Sequence, residues 1–143
     1  MSRDSREAAV MPTVTILDDE YASLWYHPET GIVHHRIHKY LLPGVFRKLL
    51  TASAELLETH RAAKYLSDDR SNVVVAPEDV KWADENWYPR VSKAGLKHWA
   101  LVLPSTMVGT VQARAILEHR RKQGLDVEGF DTIEAAMTWL QSK

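Results

Sequence analysis

The run WALVL, from Trp99 to Leu103, limits what this chain can become more than any other stretch. An apolar run with no polar alternation does not suit a strand with one face in water. It belongs inside a sheet that other layers cover. The neighbouring segments can supply those layers. After Pro43-Gly44, the residues Phe46, Leu49, Leu50, Ser53, Leu56 and Leu57 recur at helical spacing, with Arg47, Lys48, Glu55 and Glu58 off the stripe. Pro77, Glu78 and Asp79 open a second helix, because proline needs no amide partner in the first turn and acids favour the positive end of the dipole. Val80, Ala83, Trp87, Val91 and Ala94 share its apolar face. Pro89 predicts a kink or break near Trp87–Tyr88, and Gly95 a stop. Ser105 or Thr106 caps a third helix that ends near Gly124. Asp131 and Glu134 have capping-box spacing ahead of a last helix with Ile133, Ala136, Met137 and Leu140 on one face.

The remaining segments read as strands. VTIL, ASLWYH and IVHHRIHKY come first, and Pro28-Glu29-Thr30-Gly31 turns the second into the third as a hairpin. AAKYLS, WALVL and VEGF then alternate with the helices. Alternation of this kind requires parallel strands joined by right-handed crossovers. The fold class predicted is α/β: a mixed, partly parallel sheet with an N-terminal β-hairpin and about four helices packed on it. Residues 1–12 read as a flexible polar tail and residues 13–143 as a single domain.

At 143 residues the chain can bury a core without disulfides or metal. It has 18 Lys and Arg against 19 Asp and Glu, which argues against nucleic acid as a partner. The absence of cysteine excludes thiol catalysis, disulfides and cysteine-based zinc sites. The opening MSRDSREAAVMP lacks the apolar centre of a signal peptide, and no apolar run is long enough to span a bilayer. The expectation is a cytoplasmic protein that holds no cofactor and does not engage a membrane.

Element order, together with the Trp-Tyr-Pro…Ala-Gly-Leu-Lys pattern within ENWYPRVSKAGLKHWALVLP (Glu85 to Pro104), resembles the STAS family. These are the sulfate-transporter and anti-sigma-factor-antagonist domains, and the similarity is to stand-alone bacterial members. The resemblance covers Val14 to the C-terminus. It implies a non-catalytic binding or signalling module that works through protein–protein contact. In signalling members a serine within Asp-Ser-Ser-Gly is phosphorylated. Here the corresponding region reads Ser67-Asp68-Asp69-Arg70-Ser71-Asn72 and then VVVAPED, so Ser71 stands near the place without the motif, and the modification is not carried over.

Three groups of residues are candidate sites. Ligands of open parallel sheets gather beyond the strand C-terminal ends, and helix starts attract anions. Asp69, Arg70, Ser71, Ser105 and Thr106 are therefore candidates for a small-molecule or anion site. The same residues also serve as ordinary caps and turn formers, with Arg70 pairing to Asp68 or Asp69. His34 and His38 share a strand face and His27 lies across the hairpin, but no metal-binding spacing is present, and a solvated strand face explains them as well. His35 and Ile37 point to the opposite face. Trp82 lies off the apolar stripe of its helix and can join Tyr88 in an exposed aromatic patch, the kind that centres a homodimer or a protein interface. Alternatively, Trp82 tucks under the VVVAP loop. The cations His119-Arg120-Arg121-Lys122 suit a helix C-terminus. No GxSxG or glycine-rich phosphate loop occurs. Two functions therefore stand: a homodimeric STAS-like module that contacts a protein partner, and a small-molecule or anion binder, or an enzyme acting on such a molecule, with its site at the strand C-terminal ends.

Overall fold

The structure is a computed structural model and describes residues 13–71 and 74–143. The tail expected over residues 1–12 lies outside them. Strand β1 (Val14–Asp18) pairs antiparallel with β2 (Ala22–His27), and β2 with β3 (Ile32–Ile37). The β2–β3 reversal falls where Pro28 and Gly31 place it. The carbonyl of His27 accepts from the amides of Thr30 at 3.2 Å and Gly31 at 2.8 Å, and Gly31 takes φ +72°, which a residue with a side chain resists.

After β3 the chain alternates: α1 (Pro43–His60), β4 (Lys64–Asp68), α2 (Pro77–Trp82), a π-helical turn (Ala83–Trp87), α3 (Tyr88–Ala94), β5 (His98–Val102), α4 (Met107–Lys122), β6 (Asp126–Phe130) and α5 (Ile133–Gln141). The sheet holds six strands in sequence order, parallel from β3 onward. Each crossover steps in the same direction, and right-handed crossovers that do so put their helices on one face. A large core therefore forms between that face and the helices α1 to α4. It joins Leu24, Val33, Tyr65, Trp99, Leu101 and Val127 of the strands to Phe46, Leu49, Trp87, Val91 and Leu117 of the helices. The last helix has no further strand to reach and covers the other face, where Ile32, Leu66, Ala100 and Val102 meet Ala136 and Leu140. WALVL is thus enclosed on both sides, and all of Trp99 to Leu103 is buried. No helix among the described residues is long and apolar enough to cross a membrane.

One local expectation takes a definite form, and one changes. Pro89 does not break its helix. The preceding turn widens instead, so that the Tyr88 amide reaches back five residues to the Ala83 carbonyl. A proline ring clashes with the carbonyl four residues before it, and a π turn re-spaces those carbonyls without ending the helix. At the last helix the cap is Thr132 rather than Asp131: its Oγ1 accepts from the Ala135 amide at 3.1 Å. The caps and stops elsewhere fall as the residues indicate. Thr106 Oγ1 accepts from Gly109 N–H at 3.1 Å at the start of α4, and Gly95 ends α3 at φ +112°.

Candidate functional site

Between the helix face of the sheet and the inner sides of α1, α2 and α4 lies a cavity of about 80 Å³. It sits by the C-terminal ends of β4 and β5. Phe46, Leu50, Trp87, Trp99, Leu101 and Ile116 make its apolar wall, and His35, Tyr65, Ser67, Asp69, Gln112 and Arg120 bring polar atoms to it. Register explains why three strands deliver side chains to one place. His35 pairs with Ser67 and Ser67 with Leu101, while Val33 pairs with Tyr65 and Tyr65 with Trp99, so both rows face the same helices.

The polar members form a relay. The Tyr65 hydroxyl bonds His35 Nδ1, and His35 Nε2 lies 2.9 Å from Asp69 Oδ1. A carboxylate only accepts, so Nε2 carries the proton and donates to Asp69. In the imidazole tautomer with its proton on Nε2, Nδ1 is the acceptor of the Tyr65 O–H. Burial, reinforced by the negative charge of Asp69, pushes the Tyr65 phenol above its ordinary pKa and keeps it protonated, against the lowering influence of the Ser53 and Ser67 hydroxyls. The two indoles of the wall are also anchored. Trp99 Nε1 donates to Ser67 Oγ at 2.8 Å, and Trp87 Nε1 to Ser53 Oγ at 3.1 Å. Ser53 in turn donates to the Leu50 carbonyl at 2.7 Å. Locked rotamers of this kind hold a preformed shape.

The mouth faces α2 and α4. Gln112 clamps the backbone of Val75 on both sides, with Nε2 donating to the Val75 carbonyl at 2.7 Å and Oε1 accepting its amide at 2.8 Å. Arg120 closes the adjacent side. It is 3 % exposed, stacks over the Tyr88 ring at 4.5 Å, and donates from Nη1 to Asp84 at 2.6 Å and to Gln123 at 2.9 Å. Outside, a groove of about 510 Å³ runs between α2 and α4, and Val80, Gln112, Ile116 and Arg120 line both spaces.

Of the strand-end residues singled out in the sequence, Asp69 alone among the five lines this cavity. Arg70 turns to Asp68 with two bonds, Nε to Oδ1 at 2.9 Å and Nη2 to Oδ2 at 2.8 Å. Burial works against the charge on Asp68, yet the Arg70 bonds hold its carboxyl below the usual range. Ser71 and Ser105 are exposed, and Thr106 spends its hydroxyl on the α4 cap. The two loops do meet through backbone, the Ser105 amide donating to the Arg70 carbonyl at 3.3 Å. Their side chains do not converge on a common point.

The aromatic pair is half-buried. Trp82 packs on the core beneath the Arg47 guanidinium, 5.5 Å from its ring centre, and Tyr88 lies under Arg120. The histidines on the opposite sheet face divide. His27 Nε2 meets His34 Nδ1 at 3.0 Å, whereas His38 turns to Ser23 Oγ at 2.8 Å. Burial, and then the neighbouring His27, lower the His34 pKa to about 3. Among the described residues no three His, Asp or Glu side chains gather as a metal would require.

Two residues of the site carry signals that the sequence reading passes over. His35 shares its strand face with Val33 and Ile37, a polar side chain on an apolar side. Arg120 follows Ala113 and Leu117 at helical spacing, which places it on the buried stripe of α4 and apart from the exposed cations His119, Arg121 and Lys122. Comparison of the chain with protein-family models and with curated proteins returned no match.

Proposed function

We propose that this chain is a binding module for a small, largely apolar molecule held in the cavity beneath the ends of β4 and β5. The observation that carries the proposal is an apolar-walled space of about 80 Å³ with a locked Tyr65–His35–Asp69 relay on one side. A ligand that covers these apolar walls removes them from water, a gain of about 25 cal/mol per Å². The test is thermal unfolding with toluene, benzamide and indole as probes. A probe at about a hundred times its dissociation constant adds roughly 2.7 kcal/mol, and Ala113→Leu, which narrows the cavity from α4, removes that gain. No shift with any probe contradicts the proposal.

A second reading has its own support. Met107, Val108 and Val111 on the first turns of α4 are 84 %, 67 % and 65 % exposed. An apolar cluster on one helix end suits the protein–protein contact, as a homodimer or with a partner, that the STAS resemblance implies for a bacterial signalling protein of the cytoplasm. Sedimentation of the wild type at micromolar concentration tests the homodimer, and Val108→Asp with Val111→Asp should dissociate it. A monomeric wild type removes the homodimer and leaves only contact with a different partner.

A further inference from the structure

If the cavity holds a ligand as proposed above, its wall also indicates the chemical class of that ligand. One acid and one guanidinium border the space, Asp69 and Arg120. Arg120 is already engaged: Nη1 lies 2.6 Å from Asp84 Oδ1, and packing seals Nε from contact. Asp69 differs on both counts. Alternation along the chain carries Tyr65, Ser67 and then Asp69 to the helix side of the sheet, while Asp68 turns away and meets Arg70. The Asp69 side chain is 15 % exposed, against 4 % for His35. Oδ1 takes the His35 bond, and Oδ2 accepts from no described residue. Nor does Oδ2 belong with the unbonded polar atoms that packing closes off, which among the described residues are Thr30 Oγ1, His34 Nε2 and Arg120 Nε. It is open to approach. No Lys or Arg pairs with this carboxylate among the described residues, and its one basic neighbour is His35. With His35 as an imidazole, an anion without a counterion stands at the edge of an apolar space.

We infer that the ligand is a small amine, with an ammonium group that donates to Asp69 Oδ2 and a hydrocarbon body that packs among Leu50, Trp99, Leu101 and Ile116. An ammonium brings donors only and a carboxylate offers acceptors only, so the two match without a third group. Complete burial of an ion pair often costs more in desolvation than the attraction returns. Here the carboxylate is partly exposed, so the ammonium keeps part of its hydration while the body enters the apolar space. A carboxylate or phosphate ligand would meet Asp69 as a like charge and find Arg120 already paired with Asp84. A space of about 80 Å³ suits a body of single-ring size, since about 15 Å³ accommodates one water.

Benzylamine, benzyl alcohol and benzoate place a cation, a neutral hydroxyl and an anion on one ring, and toluene is that ring without a polar group. Titrated calorimetrically into the wild type at neutral pH, benzylamine is expected to bind about tenfold tighter than benzyl alcohol or toluene, the increment of one charge-assisted pair, and benzoate weakest of the four. In Asp69→Asn, which keeps an oxygen for the His35 bond and removes the charge, benzylamine falls to the level of benzyl alcohol. If that variant does not fold, the carboxyl ¹³C resonance of Asp69 in the wild type serves instead: benzylamine moves it with the same dissociation constant as the Trp99 indole. Any of the other three probes binding as tightly as benzylamine overturns the inference while leaving the cavity site intact. So does a benzylamine preference that survives in Asp69→Asn, or an Asp69 carboxyl that stays in place while the Trp99 indole moves. Failure of all four probes to bind removes the cavity site itself, and the inference with it.

Discussion

His35 Nε2 and Asp69 Oδ1 stand 2.9 Å apart, and that bond fixes which nitrogen of a core histidine carries its proton. Asp69→Ala leaves the buried N–H without an acceptor. The expected loss is about 1–3 kcal/mol in urea unfolding. Asp69→Asn retains an oxygen at the same place and should lose markedly less. Equal losses in the two variants would mean that the bond does not hold His35.

Filling the cavity separates stability from binding. Ala113 is buried on the inner side of α4 and borders the space. Ala113→Leu is expected to raise unfolding stability by about 0.5–2 kcal/mol, the usual gain from filling a void, while abolishing the binding of toluene. A destabilised variant that still binds would place the ligand elsewhere.

Arg120 and Arg90 offer a comparison of buried and exposed charge pairs. Arg120 depends on Asp84, and Arg90 meets Glu58 at 2.8 Å on the surface. Asp84→Ala leaves a guanidinium that is 4 % exposed with Gln123 as its remaining acceptor and should cost about 1–3 kcal/mol. Glu58→Ala leaves Arg90 in water and should move the urea midpoint little. The two variants, unfolded side by side, check this. Similar midpoints would show that Arg120 keeps its solvation and does not rely on Asp84.

The pH dependence has a defined sign. In the unfolded chain His34 titrates near 6.5, and in the fold burial lowers it to about 3. Between those values the unfolded state binds more protons, so stability falls as the pH drops through that window. The contribution approaches about 1.4 kcal/mol per pH unit. His34→Gln removes the titration. Its stability profile, subtracted from that of the wild type, should show this slope between pH 6.5 and about 3 and none above. A flat difference would mean that His34 protonates in the folded state.

Much of the architecture is legible in the residues because burial has a period. WALVL has no polar alternate and is enclosed on both faces. The stripe from Phe46 to Leu57 becomes the inner side of α1. The site is less legible, because a cavity is a property of packing between elements far apart in sequence. Asp69 attracts notice at a strand end, but its neighbours Arg70, Ser71, Ser105 and Thr106 resemble it in chemistry while their side chains turn to local partners or solvent. Tyr65 and Ser67 read as ordinary strand residues until register sets them beside His35 and Trp99. Arg120 is obscured by its flanking cations: a run of four charges at a helix end suggests a solvated face, although helical spacing from Ala113 and Leu117 carries one of the four inward. Pro89 shows the same limit in the backbone, since the sequence marks a disturbance and only the fold decides between a break and a π turn.

The most direct test of the cavity as a binding site is the response of two indole protons. Trp87 and Trp99 both border the space, and their Nε1–H groups donate to Ser53 and Ser67. In ¹H–¹⁵N spectra of the uniformly labelled protein, titration with benzamide should shift both resonances along saturable curves that share one dissociation constant. The indoles of Trp25 and Trp139, which lie away from the cavity, should stay in place. Saturable shifts confined to residues of the exposed α4 surface, or no saturable shift at all, would contradict the account.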